Sequence, residues 1–397
     1  MKETGLKSLT VKCSGLQGLY WMSFCSVYSF ASVFLLSQNF KNHQIGILLA
    51  VSNIAAVFLQ PAIGSLADRT TKISLKGIIS YIALINMVLL AGLVLLPPGA
   101  AVGAVLYGGA VALTLTLQPL LNSLIFEYIN EGSDVNYGVT RGMGSISFAF
   151  VSFILGLLIN SYNPHFLPFV CIGLFAGLLL MLHILPMTEA QKKRGDPGAN
   201  PDRGTVPGGF LDFGKRYHRF FPFLLALAFL FVFHTMANAY LVQIMKHMGG
   251  KDGDVGLSLT IAAVCELPAM LGFGYLVSRY KSGMLLKFAG CFYVVRSLLF
   301  LLSTSVSMVN LAQVFQGLSF AVYAPASIYY VNQMMSKEDK VKGQTFMVGA
   351  STLGSVFGSL LGGWLLDNAS VEIMLAVGAA AAAAGCLLLF YSVKRDC

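Results

Sequence analysis

The chain is 397 residues long, with 56% hydrophobic and 11% charged residues, where a soluble protein carries roughly 25% charge. A mean hydropathy of +0.74 excludes an ordinary soluble enzyme. The formal net charge of +9 leaves nucleic-acid binding to be judged from where the cations fall.

In chain order, twelve apolar stretches read as spans: 13–37, 44–66, 73–96, 100–126, 139–162, 165–187, 219–245, 254–278, 283–303, 306–333, 343–366 and 371–393. Each reaches the ~20 residues that a helix needs to cross a ~30 Å hydrocarbon core. Lipid satisfies no open backbone, so the spans are predicted as helices; the short alternating strands of a membrane barrel are absent. Lys2, Lys7 and Lys12 precede a first span too long for a signal peptide and with no small-residue cleavage site after it, so it is predicted to stay as a membrane helix.

When the loops are assigned alternately to two sides, 22 of the 26 cations fall on the side of the N-terminus. Lys41, Lys246 and Lys251 fall on the other, and Arg296 lies deep within a span. This asymmetry predicts that both termini are cytoplasmic, and the short loops without organellar targeting predict the inner (plasma) membrane. It also accounts for the basic excess without nucleic acid, since no basic patch stands outside these loops. The seven cysteines form no CxxC pair and read as small packing residues. No ATP-binding loop or HExxH helix is present, so no catalytic group, metal or cofactor is predicted.

The longest polar stretch, 188–218, contains Lys192-Lys193-Arg194 and two Pro-Gly turns. It reads as a cytoplasmic linker between an N-terminal six-helix bundle, 1–187, and a C-terminal one, 219–397. The halves repeat. Ile45–Arg69 set against Val255–Arg279 without gaps pairs Gly46 with Gly256, Leu49 with Leu259, Gly64 with Gly274, and Arg69 with Arg279. Gly138 and Gly144 likewise pair with Gly343 and Gly349. Parallel six-helix repeats of this kind mark transporters whose halves rock around a central site.

Gly64-Ser65-Leu66-Ala67-Asp68-Arg69, followed by Lys72, joins the second and third spans. It resembles the G-x-L-x-D-R loop signature of the major facilitator superfamily, and Gly274 to Arg279 is a copy with Ser278 in place of the Asp. Three further stretches are similar to the branch that holds lactose permease, other oligosaccharide–proton symporters and nucleoside–proton symporters. They are Tyr137 to Ser145, Glu266-Leu267-Pro268, and Lys342-Gly343-Gln344 with Gly354, Gly358, Gly362 and Gly363. The resemblance implies an all-α integral membrane protein of twelve transmembrane helices in two pseudo-symmetric six-helix bundles. It also implies a gate at Gly64, Asp68 and Arg69.

Glu266 lies 12 residues from Ser278, hence ~18 Å into the membrane at 1.5 Å per residue. An ionised carboxylate there must face a cavity, pair or take a proton, which suits proton coupling. Arg296 lies at a matching depth on the next span and reads as its partner, functional or structural. The resemblance implies that Arg141 binds hydroxyls together with an acid on helix four, but Asn122–Ser123 fall near that position. Either Glu127, about one turn on, substitutes, or Asn122 and Gln118 offer neutral hydrogen bonds. Gln316 and Ser319 stand near the positions where lactose permease carries a His and a Glu. Trp21 and Tyr323 offer rings to stack on a solute. His234 reads as a satisfied packing residue.

The sequence therefore predicts a carrier, working as a monomer, that moves a small polar solute of sugar or nucleoside class with protons by alternating access. A drug or metabolite exporter of the same fold, and a solute-binding receptor that transports nothing, are the alternatives.

Overall fold

A computed structural model describes residues 2–69, 73–95, 100–133, 135–187, 216–217, 220–336 and 339–393. Among them the chain is nearly all helical. The first part holds α1 (Lys2–Phe24), α2 (Ala31–Ser37), α3 (Asn42–Arg69), α4 (Leu75–Leu95), α5 (Ala100–Asn130), α6 (Tyr137–Ser161) and α7 (Leu167–Ile184). The second holds α8 (Phe220–Ala239), α9 (Leu241–His247), α10 (Asp254–Leu271), α11 (Phe273–Arg279), α12 (Ser282–Leu301), α13 (Val306–Val314), α14 (Phe320–Met334), α15 (Lys340–Asn368) and α16 (Val371–Ser392).

Ten of the described helices are long and apolar enough to cross a membrane unaided, and α1 with α2, bent by 45° after a wide turn at Cys25–Ser29, makes an eleventh span. The twelfth, expected as one helix over 306–333, is broken: α13 ends at Val314 and α14 starts at Phe320. Two local features lie on either side of the break, at the start of α13 and inside α14. Ser305 caps α13 by accepting a hydrogen bond from the Met308 amide. Pro325, in the second turn of α14, supplies no amide to the Ala321 carbonyl four residues before it, a bond that the first turn of α14 does without.

The chain forms two compact units, 1–40 with 51–201, and 41–50 with 202–397. The packing inside each follows the same plan. In the first unit α1 lies against α6 and α7, while α4 lies against α5 and α7. In the second, α8 lies against α15 and α16, while α12 lies against α14 and α16. The repeat seen in the sequence is thus a repeat of helix contacts. Glycines set the closeness of α15 to α8. A methyl group on Gly358 would stand 2.7 Å from the Val232 carbonyl oxygen, and Gly354 faces the Ala228 carbonyl in the same way. Such small faces let helix backbones approach where lipid supplies no hydrophobic drive.

The linker 188–218 lies outside the described residues except for Arg216 and Tyr217. Both donate to Asp339 just before α15, Arg216 Nη1 at 3.2 Å and the Tyr217 hydroxyl at 3.1 Å. Asp339, itself 6% exposed, thereby ties the end of the linker to the start of α15.

Candidate functional site

In the second unit the break between α13 and α14 creates the polar centre. Gly317, in the turn, lies directly on the backbone of Cys265 in α10. A β-carbon at this glycine would clash with the Cys265 carbonyl oxygen and stand 2.9 Å from its carbonyl carbon. Only glycine permits that approach. Cys265 precedes Glu266, and Gln316 precedes Gly317, so the contact brings the two polar side chains together. Gln316 Nε2 donates to Glu266 Oε1 at 2.6 Å, with both residues only 9% exposed. A hydrogen bond to a charged group contributes about 1.5–3 kcal/mol.

Arg296 is the largest fully buried side chain among the described residues. The structure does not join it to Glu266 directly. Arg296 Nη2 donates to Gln313 Oε1 at 2.7 Å, so each charge is held by a glutamine from the broken span. The two charges interact through space, and Tyr293 lies within the same electrostatic reach. The guanidinium carbon lies 5.8 Å from the Phe233 ring centre and 5.5 Å from that of Phe300, within cation–π range. Its Nε and Nη1, however, have no hydrogen-bond partner, and neither do the Tyr293 hydroxyl, Gln313 Nε2 and His234 Nδ1. A buried polar atom left unmatched costs about 1–3 kcal/mol, and five such atoms lie in this group among the described residues.

Aromatic rings wall the group. His234 stacks on Phe320 at 4.7 Å and meets Tyr293 edge-on at 6.2 Å. Tyr323 stands edge-on to Tyr293 at 6.1 Å, and its hydroxyl lies 3.2 Å from Ser351 Oγ. His234 does pack, but it is not satisfied.

The first unit carries a second cluster, on α1, α5 and α6. Arg141 opens α6, one turn after the Asn136 side chain caps it. Its guanidinium sits 4.2 Å over the Trp21 ring and donates to Ser145 Oγ at 3.1 Å. Gly144 makes room for Trp21, whose Cδ1 would collide with any β-carbon there. Trp21 Nε1 is buried without an acceptor. Gln17 Nε2 donates to Asn122 Oδ1 at 2.9 Å. Gln118 lies four residues before Asn122 in α5, hence on the same helix face, and Glu127 lies half-buried near the helix end.

The structure thus gathers Glu266, Gln316, Arg296 and Tyr323 in one unit, and in the other it joins Arg141 to Trp21 and Asn122 to Gln17, with Gln118 one helical turn from Asn122. Gly64 faces open space in α3; the side chains of Asp68 and Arg69 lie outside the described residues. Gln17, Gln313 and Tyr293 were missed from sequence. Their signal was weak but present, as each is a polar side chain placed deep in an apolar span.

A profile of the MFS_1 like family matches residues 12–376. A maltose permease of Geobacillus stearothermophilus is 26% identical over 394 residues, covering 95% of this chain and 93% of that one. An uncharacterized transporter of Bacillus subtilis (strain 168), YwbF, is 21% identical over 389 residues, covering 96% and 94%. Among solved structures, the nucleoside transporter NupG superposes with a TM-score of 0.77 at 18% identity, covering 97% of this chain and 98% of that one. A variant of the peptide transporter POT superposes with a TM-score of 0.73 at 12% identity, covering 98% and 96%.

Proposed function

The chain belongs to the MFS_1 like family of multi-pass membrane transporters, and from that premise we propose that it moves an electrically neutral, hydroxyl-rich solute of sugar or nucleoside class by alternating access, together with protons. The observation that carries the reading is the buried donor group around Arg296. Two guanidinium nitrogens, a phenol and an amide stand without partners, and a polyol presents the acceptors they lack. The solute is neutral in this reading because hydroxyl oxygens accept from these donors without bringing a further charge into the buried centre. Rings at Tyr323, Tyr293 and Trp21 supply apolar faces on which a sugar or base stacks.

Glu266 is the proton carrier in this reading. It is the buried carboxylate of the cluster in the second unit, and Gln313 and Gln316 beside it carry no titratable group. Arg296 tunes that carboxylate by its charge, and Glu127 is the acid available in the first unit. Arg141 binds the solute with Asn122, Gln118 and Gln17, and Gly64, Asp68 and Arg69 gate the basic face. The 22-to-3 division of loop cations supports a cytoplasmic position for that face and both termini, with the protein in the plasma membrane. The maltose permease among its relatives supports the sugar class, and the likeness to NupG supports the fold that either solute would use.

Solute-driven proton uptake into proteoliposomes tests the proposal, with maltose, other sugars and nucleosides applied in turn. A solute-dependent current in the wild type, abolished in Glu266→Gln while solute exchange persists, supports symport with Glu266 as carrier. Current untouched by that substitution moves the proton to Glu127. No flux with any neutral solute overturns the solute class.

A further inference from the structure

The first span changes its winding at Cys25–Ser29, where it opens into a wide turn. There the Phe30 amide donates to the Cys25 carbonyl, five residues back, at 3.2 Å. Single wide turns inside a helix recur at functional sites. This one is held from α5. The Tyr107 hydroxyl donates to the Val27 carbonyl at 2.7 Å, and the Tyr107 ring stacks on Phe34 at 5.1 Å. Tyr28 lies within the turn. Its ring stacks on Phe24 at 5.1 Å, and its oxygen accepts from Asn53 Nδ2 of α3 at 3.2 Å. Phe24 in turn meets Trp21 edge-on at 5.2 Å. Three rings therefore run along α1 from the Arg141 guanidinium to Asn53, all within the first unit. Tyr28 follows Trp21 by seven residues, about 10 Å at 1.5 Å per residue.

Lipid does not account for this row. From Lys12 to Ser37 no residue is exposed, whereas α4 exposes Tyr81, Leu84, Ile85 and Val88. Trp21, Phe24 and Tyr28 are each half-buried, with a polar group at either end of the row. The Tyr28 phenol takes a bond from Asn53 and has a proton of its own to donate. It can pair with a solute hydroxyl at one end as Arg141 does at the other. One pyranose ring is about 6 Å across with its hydroxyls, at ~1.5 Å per bond, and cannot reach both ends. Two linked rings can. On the sugar reading above, we propose that Tyr28 forms a second ring-binding station, which takes the distal ring of a disaccharide and selects it over a monosaccharide. Phe24 backs the Tyr28 ring, and Asn53 positions its hydroxyl. The aromatic face receives the C–H side of the sugar, and the phenol bonds its hydroxyl.

Solute exchange by the full chain in proteoliposomes tests this, with labelled maltose and labelled uridine as solutes and glucose as a competitor. Tyr28→Phe keeps the ring and its stack on Phe24 and loses only the hydroxyl. A single neutral hydrogen bond corresponds to about a two- to ten-fold change in affinity. Tyr28→Phe should therefore raise the half-saturating maltose concentration by about five-fold, with glucose competing as it does against the wild type. Tyr28→Ala also loses the stack and should weaken maltose further. Arg141→Lys acts at the other end and should weaken both sugars. If Tyr28→Phe weakens maltose and glucose alike, or weakens neither, the station is overturned. Exchange of uridine without exchange of maltose or competition by glucose overturns the sugar reading, and the station with it.

Discussion

Gly317→Ala gives the sharpest test of how the polar centre is built. The added methyl would collide with the Cys265 carbonyl oxygen and stand 2.9 Å from its carbonyl carbon. Neither atom belongs to a flexible side chain, so the turn at 315–319 or the helix α10 must move. Overpacking of this kind costs about 1–3 kcal/mol. The movement also pulls Gln316 from Glu266, whose 2.6 Å bond contributes about 1.5–3 kcal/mol. These two figures overlap, because a single displacement relieves the clash and breaks the bond. Gly317→Ala and Gln316→Ala should therefore be strongly non-additive in a double-mutant cycle, with a coupling of about 1–2 kcal/mol. The assay is reversible unfolding of the purified protein in mixed micelles, read alongside solute exchange in proteoliposomes. Gly349→Ala is the control. It sits inside α15 with open space around it, so alanine there should be neutral or stabilise by up to about 1 kcal/mol. If Gly317→Ala unfolds within about 0.5 kcal/mol of the wild type, or adds fully to Gln316→Ala, the claimed contact does not position Gln316.

Three further outcomes follow from the same geometry. Arg296→Leu leaves the buried Glu266 carboxylate without its balancing charge and Gln313 Oε1 without its donor, so the variant should lose about 3–5 kcal/mol of stability, and Arg296→Leu with Glu266→Gln should recover part of it; paired unfolding measurements check both. Arg141→Lys cannot keep a planar group over Trp21 while bonding Ser145, and uptake at low solute concentration should drop about ten-fold, near 1.4 kcal/mol. Asp367 accepts from the Asn42 amide at 3.3 Å, the Asn42 side chain at 2.8 Å and the His43 amide at 2.8 Å, capping the start of α3. Asp367→Ala should destabilise the protein by about 1–2 kcal/mol, whereas Asp367→Asn, which keeps an acceptor, should lose less when both are compared by thermal unfolding.

Composition, hydropathy and the distribution of cations were enough to read a twelve-span helical membrane protein built from two repeated halves. Those properties act over whole segments, because the bilayer imposes length and apolarity on each span independently of its neighbours. The glycine stripe 354–358–362 was also legible as a packing face, since helical periodicity alone puts those residues on one side. The depths of Glu266 and Arg296 could be counted along their spans, and both are buried.

Their partners could not be counted in this way. The span expected over 306–333 had to break for Gln316 and Gln313 to reach Glu266 and Arg296, and that break depends on Gly317 meeting a backbone carbonyl 52 residues away in sequence. Likewise, nothing local in α1 indicates that Trp21 lies beneath Arg141, or that Gly144 leaves the space for it. A sequence states which side chains sit at a given depth, because rise per residue is constant. Which of them touch is decided by helix breaks and close approaches, and those exist only once the helices are packed.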